Sequence, residues 1–501
     1  MKEDQLFSLI SSLNKTEKSY FKKVKSSFGS KDSTLLKIFD AIQLKDEYDE
    51  KAVMDKIKFE GTNNSFSVKK HALYNGIVDI LSLNKSMHKD VLWQINRLIA
   101  HGLILKEKKQ FKSAKQTFQK AYKSALENEF FYKQIEVNQQ LIEIFRKTTP
   151  LTDFNALNEL EAHRIDILEI SKQLTNNEEY YLLADQIHLK SELLSHTSDD
   201  NLINEINELY KSNLLKSEDN AKSKTALACY HYILQLKYIN LPNETDKALY
   251  HLEQIISIQE NLKRFPLRSR FVQLGNFVRL AIANGKQESA TKMLNKMGEI
   301  YKNTKDNFIQ IFHCVHLDYF HVHKKSKNDY FIFHEIMEEE LADLVSKIPF
   351  NMEVMDLKHA QFRYEFLKGN FKKAFSISNF IDQEHDLHSF KNGKLSEKLL
   401  KALVCFEMKD FDLMSSEIRS IRHLLKSVQS PLNSELKVYH LLRDLLKNNS
   451  SENEKKIFQN FLDETEESIS SNGSFIIYDM KFRLWVQSKI EKTSYPELFF
   501  K

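Results

Sequence analysis

Ten glycines and six prolines are all that the 501 residues contain. Together they are about 3% of the chain, where soluble domains average nearer 12%. Tight turns depend on these two residues, so few hairpins can form. Lys, Glu, Leu, Gln and Ala, which favour helix, fill the chain instead. Apolar residues recur at three- and four-residue intervals, which predicts an all-α fold with no sheet of three or more strands. The length exceeds what one core supports. A stack of repeats escapes that limit because each unit packs only on its neighbours. Hydrophobic residues make up 42% of the chain, enough for a long continuous core.

The net charge is only +4, so no global field drives binding to nucleic acid or to an anionic membrane. Most of the 73 basic residues are lysines scattered along the chain, as on solvated helix surfaces. Residues 106–123 carry the densest lysine run. Cys229, Cys314 and Cys405 are odd in number and far apart. That predicts no disulfide framework and a reducing, cytoplasmic location. The opening MKEDQLFSLISSLNKTEK has no apolar core of a signal peptide, and no run of 18 apolar residues predicts a membrane span.

A recurring pattern organises the chain. Gly102, Leu105, Phe111, Ala114, Phe118 and Ala121 place small and aromatic residues in a fixed order. Gly369, Phe371 and Ala374 repeat it, with weaker copies centred on Ala248, Ala290 and Met414. Still weaker units fall near Leu157, Ile203, Phe333 and Lys455. Successive centres are separated by 40–46 residues. Pro150, Pro242, Pro266, Pro349 and Pro431 lie between the periodic stretches, as helix-terminating residues should. This order and spacing resembles the tetratricopeptide repeat, in a long and degenerate form. The resemblance implies stacked antiparallel helix pairs wound into a right-handed superhelix, about nine pairs over residues 89–501. Small residues would sit where the two helices of a pair approach.

Residues 1–88 fit the repeat less well and read as a separate N-terminal helical domain or cap. Leu6, Leu9, Ile10 and Leu13 form one helical stripe, and Asn14–Glu17 resembles a helix cap. Helices are expected near Leu35–Leu44, Ala52–Phe59 and Val68–Leu83. The opening resembles that of large bacterial helical-repeat proteins.

Motifs for chemistry are scarce. Neither G-x-x-x-x-G-K, G-x-G-x-x-G nor C-x-x-C occurs. The histidines His313, His316, His321 and His323 are close in sequence. The helical rise spreads His313 and His323 over about 15 Å, too far for one ion; a packing face is expected. His334-Glu335 lacks the second histidine of the zincin motif at Glu338. Asp382, Glu384, His385, Asp386 and His388 are expected to form a solvated loop. No cofactor, metal site or small-molecule substrate is expected.

The expected function is non-catalytic protein or peptide binding. In tetratricopeptide arrays the first helix of each pair lines the concave groove. Lys237, Arg279 and Arg363 each stand eleven residues before a repeat centre, while Val322 interrupts the series. Asn240, His359, Arg268 and Arg270 add polar groups, and four of the twelve arginines lie within Arg264–Arg279. Such a basic stripe suits an acidic or carboxylate-bearing peptide. Two rivals stand beside this reading. One is a repeat-containing regulator whose N-terminal helices bind DNA through Lys15, Lys18, Lys22, Lys23 and Lys25. The other is an enzyme with a helical active site.

Overall fold

The computed structural model describes residues 4–28, 34–43, 48–82, 90–149, 154–195, 200–239, 241, 244–304, 306–324, 326–345, 352–388, 391–426, 433–447, 451–465 and 480–501. Among the described residues the fold is all-α, with 24 helices and no strand. Two compact units divide the chain: residues 1–126 with 136–160, and residues 127–135 with 161–501.

The first unit begins with α1 (Gln5–Ser12), α2 (Lys15–Phe28), α3 (Thr34–Ile42), α4 (Glu50–Lys56) and α5 (Asn63–Ser82). Asp4 caps α1 by accepting from the N–H groups of Leu6 and Phe7, both at 3.1 Å. Asn14 and Glu17 make a reciprocal capping box at the start of α2, at 3.0 and 2.8 Å. Ile10, Phe21, Phe39, Phe66 and Leu73 close one core. Beside it lies a pocket of about 440 Å³ lined by Asp4, Tyr48 and Lys70. Lys70 bridges Asp4 and Glu50 there. The unit continues through α6 (Val91–Glu107) and α7 (Phe111–Glu127). Gly102 of α6 faces Phe118 of α7 so closely that a Cβ would sit 2.7 Å from the ring. Only glycine permits that approach.

Then come α8 (Phe131–Thr148), α9 (Phe154–Ser195) and α10 (Asp200–Leu209). The second unit continues with α11 (Lys224–Ile239), α12 (Thr245–Asn261), α13 (Leu267–Ala283), α14 (Gln287–Lys302), α15 (Asn307–His323), α16 (Lys327–Val345), α17 (Met352–Lys368) and α18 (Phe371–His388). It ends with α19 (Lys391–Met408), α20 (Phe411–Leu425), α21 (Asn433–Lys447), α22 (Ser451–Thr465), α23 (Phe482–Glu491) and α24 (Tyr495–Phe499). Helices pack in consecutive pairs: α11 on α12, α13 on α14, α17 on α18, α19 on α20. First helices also pack on first helices, α13 on α15, α15 on α17 and α19 on α21.

One turn geometry recurs between paired helices. Lys109, Gly285, Gly369 and Lys409 adopt φ of 59°, 71°, 79° and 58°. The next N–H then reaches back to a carbonyl of the helix: Gln110 to Leu105, Lys286 to Ala281, Asn370 to Glu365 and Asp410 to Cys405, at 2.8–3.0 Å. This left-handed stop closes the first helix. Four residues further on stand Ala114, Ala290, Ala374 and Met414, all at 0% exposure. Ala248 and Tyr330 hold the same fourth position in α12 and α16 and are buried equally. The residues four and seven later are buried as well, for example Phe118 and Ala121, or Ile418 and Ile421. The centres at Ala114 and Ala374, and the weaker ones at Ala248, Ala290 and Met414, therefore mark real structural positions.

Three weak centres do not. Ile203 is 41% exposed, Phe333 is only partly buried, and Lys455 is exposed. The buried residues are Leu202 in α10 and Tyr330 in α16. A one- or three-residue slip rotates a helix position away from the core. The side chain of Leu157 lies outside the described residues, as do Pro150, Pro242, Pro349 and Pro431. Pro266 precedes α13 and Pro496 lies in the first turn of α24. The expected solvated loop at Asp382–His388 is instead the end of α18. There Asp382 is largely buried against Lys398 and Lys401, at 3.3 and 3.0 Å.

Cys314 and Cys405 are buried, Cys229 is half-buried, and none forms a disulfide. Burial pushes the thiols of Cys229 and Cys405 up to about 12, far from the thiolate form that makes a cysteine reactive. Ala114→Leu and Ala374→Leu each force three extra heavy atoms into a site with no exposed surface. Each should lower unfolding free energy by about 1–3 kcal/mol. Urea unfolding that matches the parent for both variants would disprove the register.

Candidate functional site

The residues expected to line one groove separate into two environments. Lys237 of α11 is partly exposed and lies over the rings of Tyr210 and Tyr238, at 5.6 and 5.9 Å. Arg279 of α13 keeps 45% of its side chain in solvent. Its guanidinium sits 5.8 Å from the Tyr319 ring of α15 and 3.8 Å from Asp356 of α17. Arg279, Tyr319 and Asp356 thus join three consecutive first helices. Arg268 is exposed, bonds Asp306 at 2.8 Å and lies 5.2 Å from the Phe308 ring. Arg270 is half-buried, and its Nε has no hydrogen-bond partner among the described residues. Asn240 lies outside the described residues.

Arg363 and His359 are in the interior rather than on an open face. Arg363 is 4% exposed and donates to Asp318 of α15. Asp318 also lies 2.7 Å from His334 Nε2. One turn earlier on α17, His359 is buried and its Nε2 is 2.6 Å from Glu397 of α19. Helix α17 therefore ties α15 to α19 through two buried polar links. The reason is local. Asp318 stands twelve residues before Tyr330, a position held elsewhere by the uncharged Gly102, Leu236, Val278, Phe362 and Ala402. A carboxylate buried there must be compensated, and Arg363 supplies the charge. Burial pushes the Asp318 carboxyl up, but Arg363 and His334 outweigh burial and hold it below the usual range.

Similar links recur along the chain. Ser396 of α19 donates to buried Glu435 of α21. Lys401 bridges Asp382 and Glu417, both at 3.0 Å. Glu129 accepts from the N–H groups of Lys224 and Thr225, at 2.9 and 2.8 Å, capping α11 from a distant turn. Arg264 donates to the Glu129 carbonyl at 2.7 Å.

The histidines of α15 serve packing. His313 faces Tyr301 and Phe271, and His316 faces Phe312 and Gly275. His321 stacks on Phe333, and His323 bonds the Tyr319 carbonyl at 2.9 Å. Among the described residues no three His, Cys, Asp or Glu side chains converge on a metal position. No described helix is long and apolar enough to cross a membrane.

Compared with protein families, curated proteins and solved structures, the chain matches none.

Tyr319 and Asp356 did not stand out in the sequence. Centring the unit that contains Tyr319 on Phe333 puts Val322 in the groove series, while Asp356 belongs to the next unit, centred on Ala374. Centring on Tyr330 puts Tyr319 there, beside Arg279. The usable signal was the polar residue four places before each centre: Gln110, Asn370 and Asp410 elsewhere, Ser326 here.

Proposed function

We propose that this protein is a non-catalytic scaffold that binds a protein or peptide. In this reading the helix pairs wind into a right-handed, tetratricopeptide-like superhelix whose first helices line the binding face. The observation that carries it is the cluster of exposed Arg279 with half-buried Tyr319 and Asp356 on three successive first helices. An ion pair at 3.8 Å between half-exposed partners is worth little by itself. Exchanging Asp356 for a peptide carboxylate therefore loses little and gains a charge-assisted hydrogen bond. Tyr319 offers the ring on which the guanidinium and an incoming side chain can both pack. Lys237, beside Tyr210 and Tyr238, adds a second cation of the same kind. An acidic peptide is the expected ligand, and the expected compartment is the cytoplasm.

The test is capture from the native cell lysate on the full-length chain, comparing parent with Arg279→Glu. Acidic partners should be depleted about tenfold by the substitution near 0.1 M salt, and less as salt rises. Thermal stability should not change, because Arg279 is a surface group. Identical captured sets would remove the binding face. Capture no better than a blank column would remove the scaffold reading.

A further inference from the structure

Helix α9 has two apolar faces, and its core uses only one. In the second unit, Tyr180, Leu183, Ala184 and Ile187 pack against Ala226, Tyr230, Ile233 and Leu234 of α11. An ordinary surface helix then turns polar residues outward. On α9 the opposite side carries Leu168, Leu182, Leu189 and Leu193 at 63%, 61%, 65% and 49% exposure. At about 100° per residue these four fall within about 60° of one another, in a strip about 38 Å long. Single exposed leucines are normal. Four of them sharing one band of a single helix, three within Leu182–Leu193, mark an interaction surface.

Charge decides what the strip can take. Glu161, Glu178, Glu179 and Asp185 flank the leucines and are exposed. Of the cations nearby, Lys172 is paired with Glu169 at 3.5 Å and Lys190 with Glu205. Arg164 is also exposed, at the start of the strip. The stretch 175–193 is thus leucine bordered by carboxylates. An anionic lipid surface or a nucleic acid would be repelled. A second copy of the same strip would set acid against acid.

We propose that the outer face of α9 docks a basic amphipathic helix of another protein, with leucine-like residues on Leu182, Leu189 and Leu193 and its Lys or Arg against Glu178, Glu179 and Asp185. The straight strip matches a helix and not an extended peptide, because its leucines recur at seven- and four-residue intervals. This surface is separate from Arg279 and its neighbours and takes a ligand of opposite charge.

The probe is a fluorescent peptide of about three heptads with leucine at the a and d positions and lysine elsewhere. A leucine–glutamate peptide of the same pattern is the control. Anisotropy with the full-length protein should show binding of the lysine peptide alone. Leu182→Asn with Leu189→Asn should weaken it about tenfold or more, since two anchors are lost. Glu178→Gln, Glu179→Gln and Asp185→Asn together should weaken it comparably and flatten its salt dependence. All five positions are exposed, so the melting temperature should stay with the parent. Three results would overturn the proposal. One is no binding by the parent. Another is equal binding by the leucine variant, which would mean adhesion by charge alone. The third is a parent dimer that those two substitutions dissociate, which would make the strip a contact between copies.

Discussion

Arg363→Met should lower the unfolding free energy by about 3–5 kcal/mol. Arg363 and Asp318 keep only 4% and 3% of their side chains in solvent. Removing the guanidinium leaves a buried carboxylate on α15, with His334 Nε2 2.7 Å away. The aromatic rings around it, Tyr330 against His334 at 4.6 Å and Tyr364 stacked on His334, offer no compensating charge. The double variant Asp318→Asn, Arg363→Met should recover much of the loss. It removes both charges together while keeping an acceptor for His334. That order, with the single variant less stable than the double, separates a buried ion pair from simple loss of packing. Urea unfolding measures it. An Arg363→Met variant within about 1 kcal/mol of the parent would show that the pair does not hold α15 to α17.

Stability should also fall steeply as pH drops from about 6.5 to about 4. His231 and His251 meet Nδ1 to Nδ1 at 2.9 Å between α11 and α12, with Tyr238 stacked flat on His251. Burial pushes His231 down to about 4, and burial with the neighbouring His231 does the same to His251. Burial also lowers His313 to about 4. His316 falls well below the usual range, through burial and the charge of Arg279.

The direction follows from proton binding. Unfolded histidine takes a proton below about 6.5, whereas these folded rings resist until about 4. The unfolded chain therefore binds more protons through that window, and acid favours it. The stabilisation is complete above 6.5 and is lost as pH falls through 4. Each of the three rings at about 4 accounts for about 3 kcal/mol over the window. Asp318 and Asp382, held low by their basic partners, add a second loss only below the ordinary carboxylate range. Melting temperature against pH should thus bend first near 6.5. His231→Asn with His251→Asn should flatten the upper part of the curve. A parent curve level from pH 7 to 4.5 would contradict the buried neutral pair.

The helical class was legible because helix needs only local information: few glycines and prolines, and apolar residues three and four apart. The repeat centres at Ala114, Ala374 and, more weakly, Ala290 were legible for a similar reason. A left-handed turn residue, a polar cap and a small residue four places later each have a local cause, so Ala114, Ala290 and Ala374 could be found from sequence. Where the small residue is replaced, as by Tyr330, the pattern loses its marker and the centre slipped to Phe333. The expected basic stripe was a matter of register alone. Register placed Lys237, Arg279 and Arg363 alike, but it could not say that Asp318, forty-five residues before Arg363, would draw that arginine inside. Periodicity likewise could not tell which apolar face of α9 meets α11 and which meets solvent. Burial and ion pairing depend on which distant residues come together, and only the packed structure decides that.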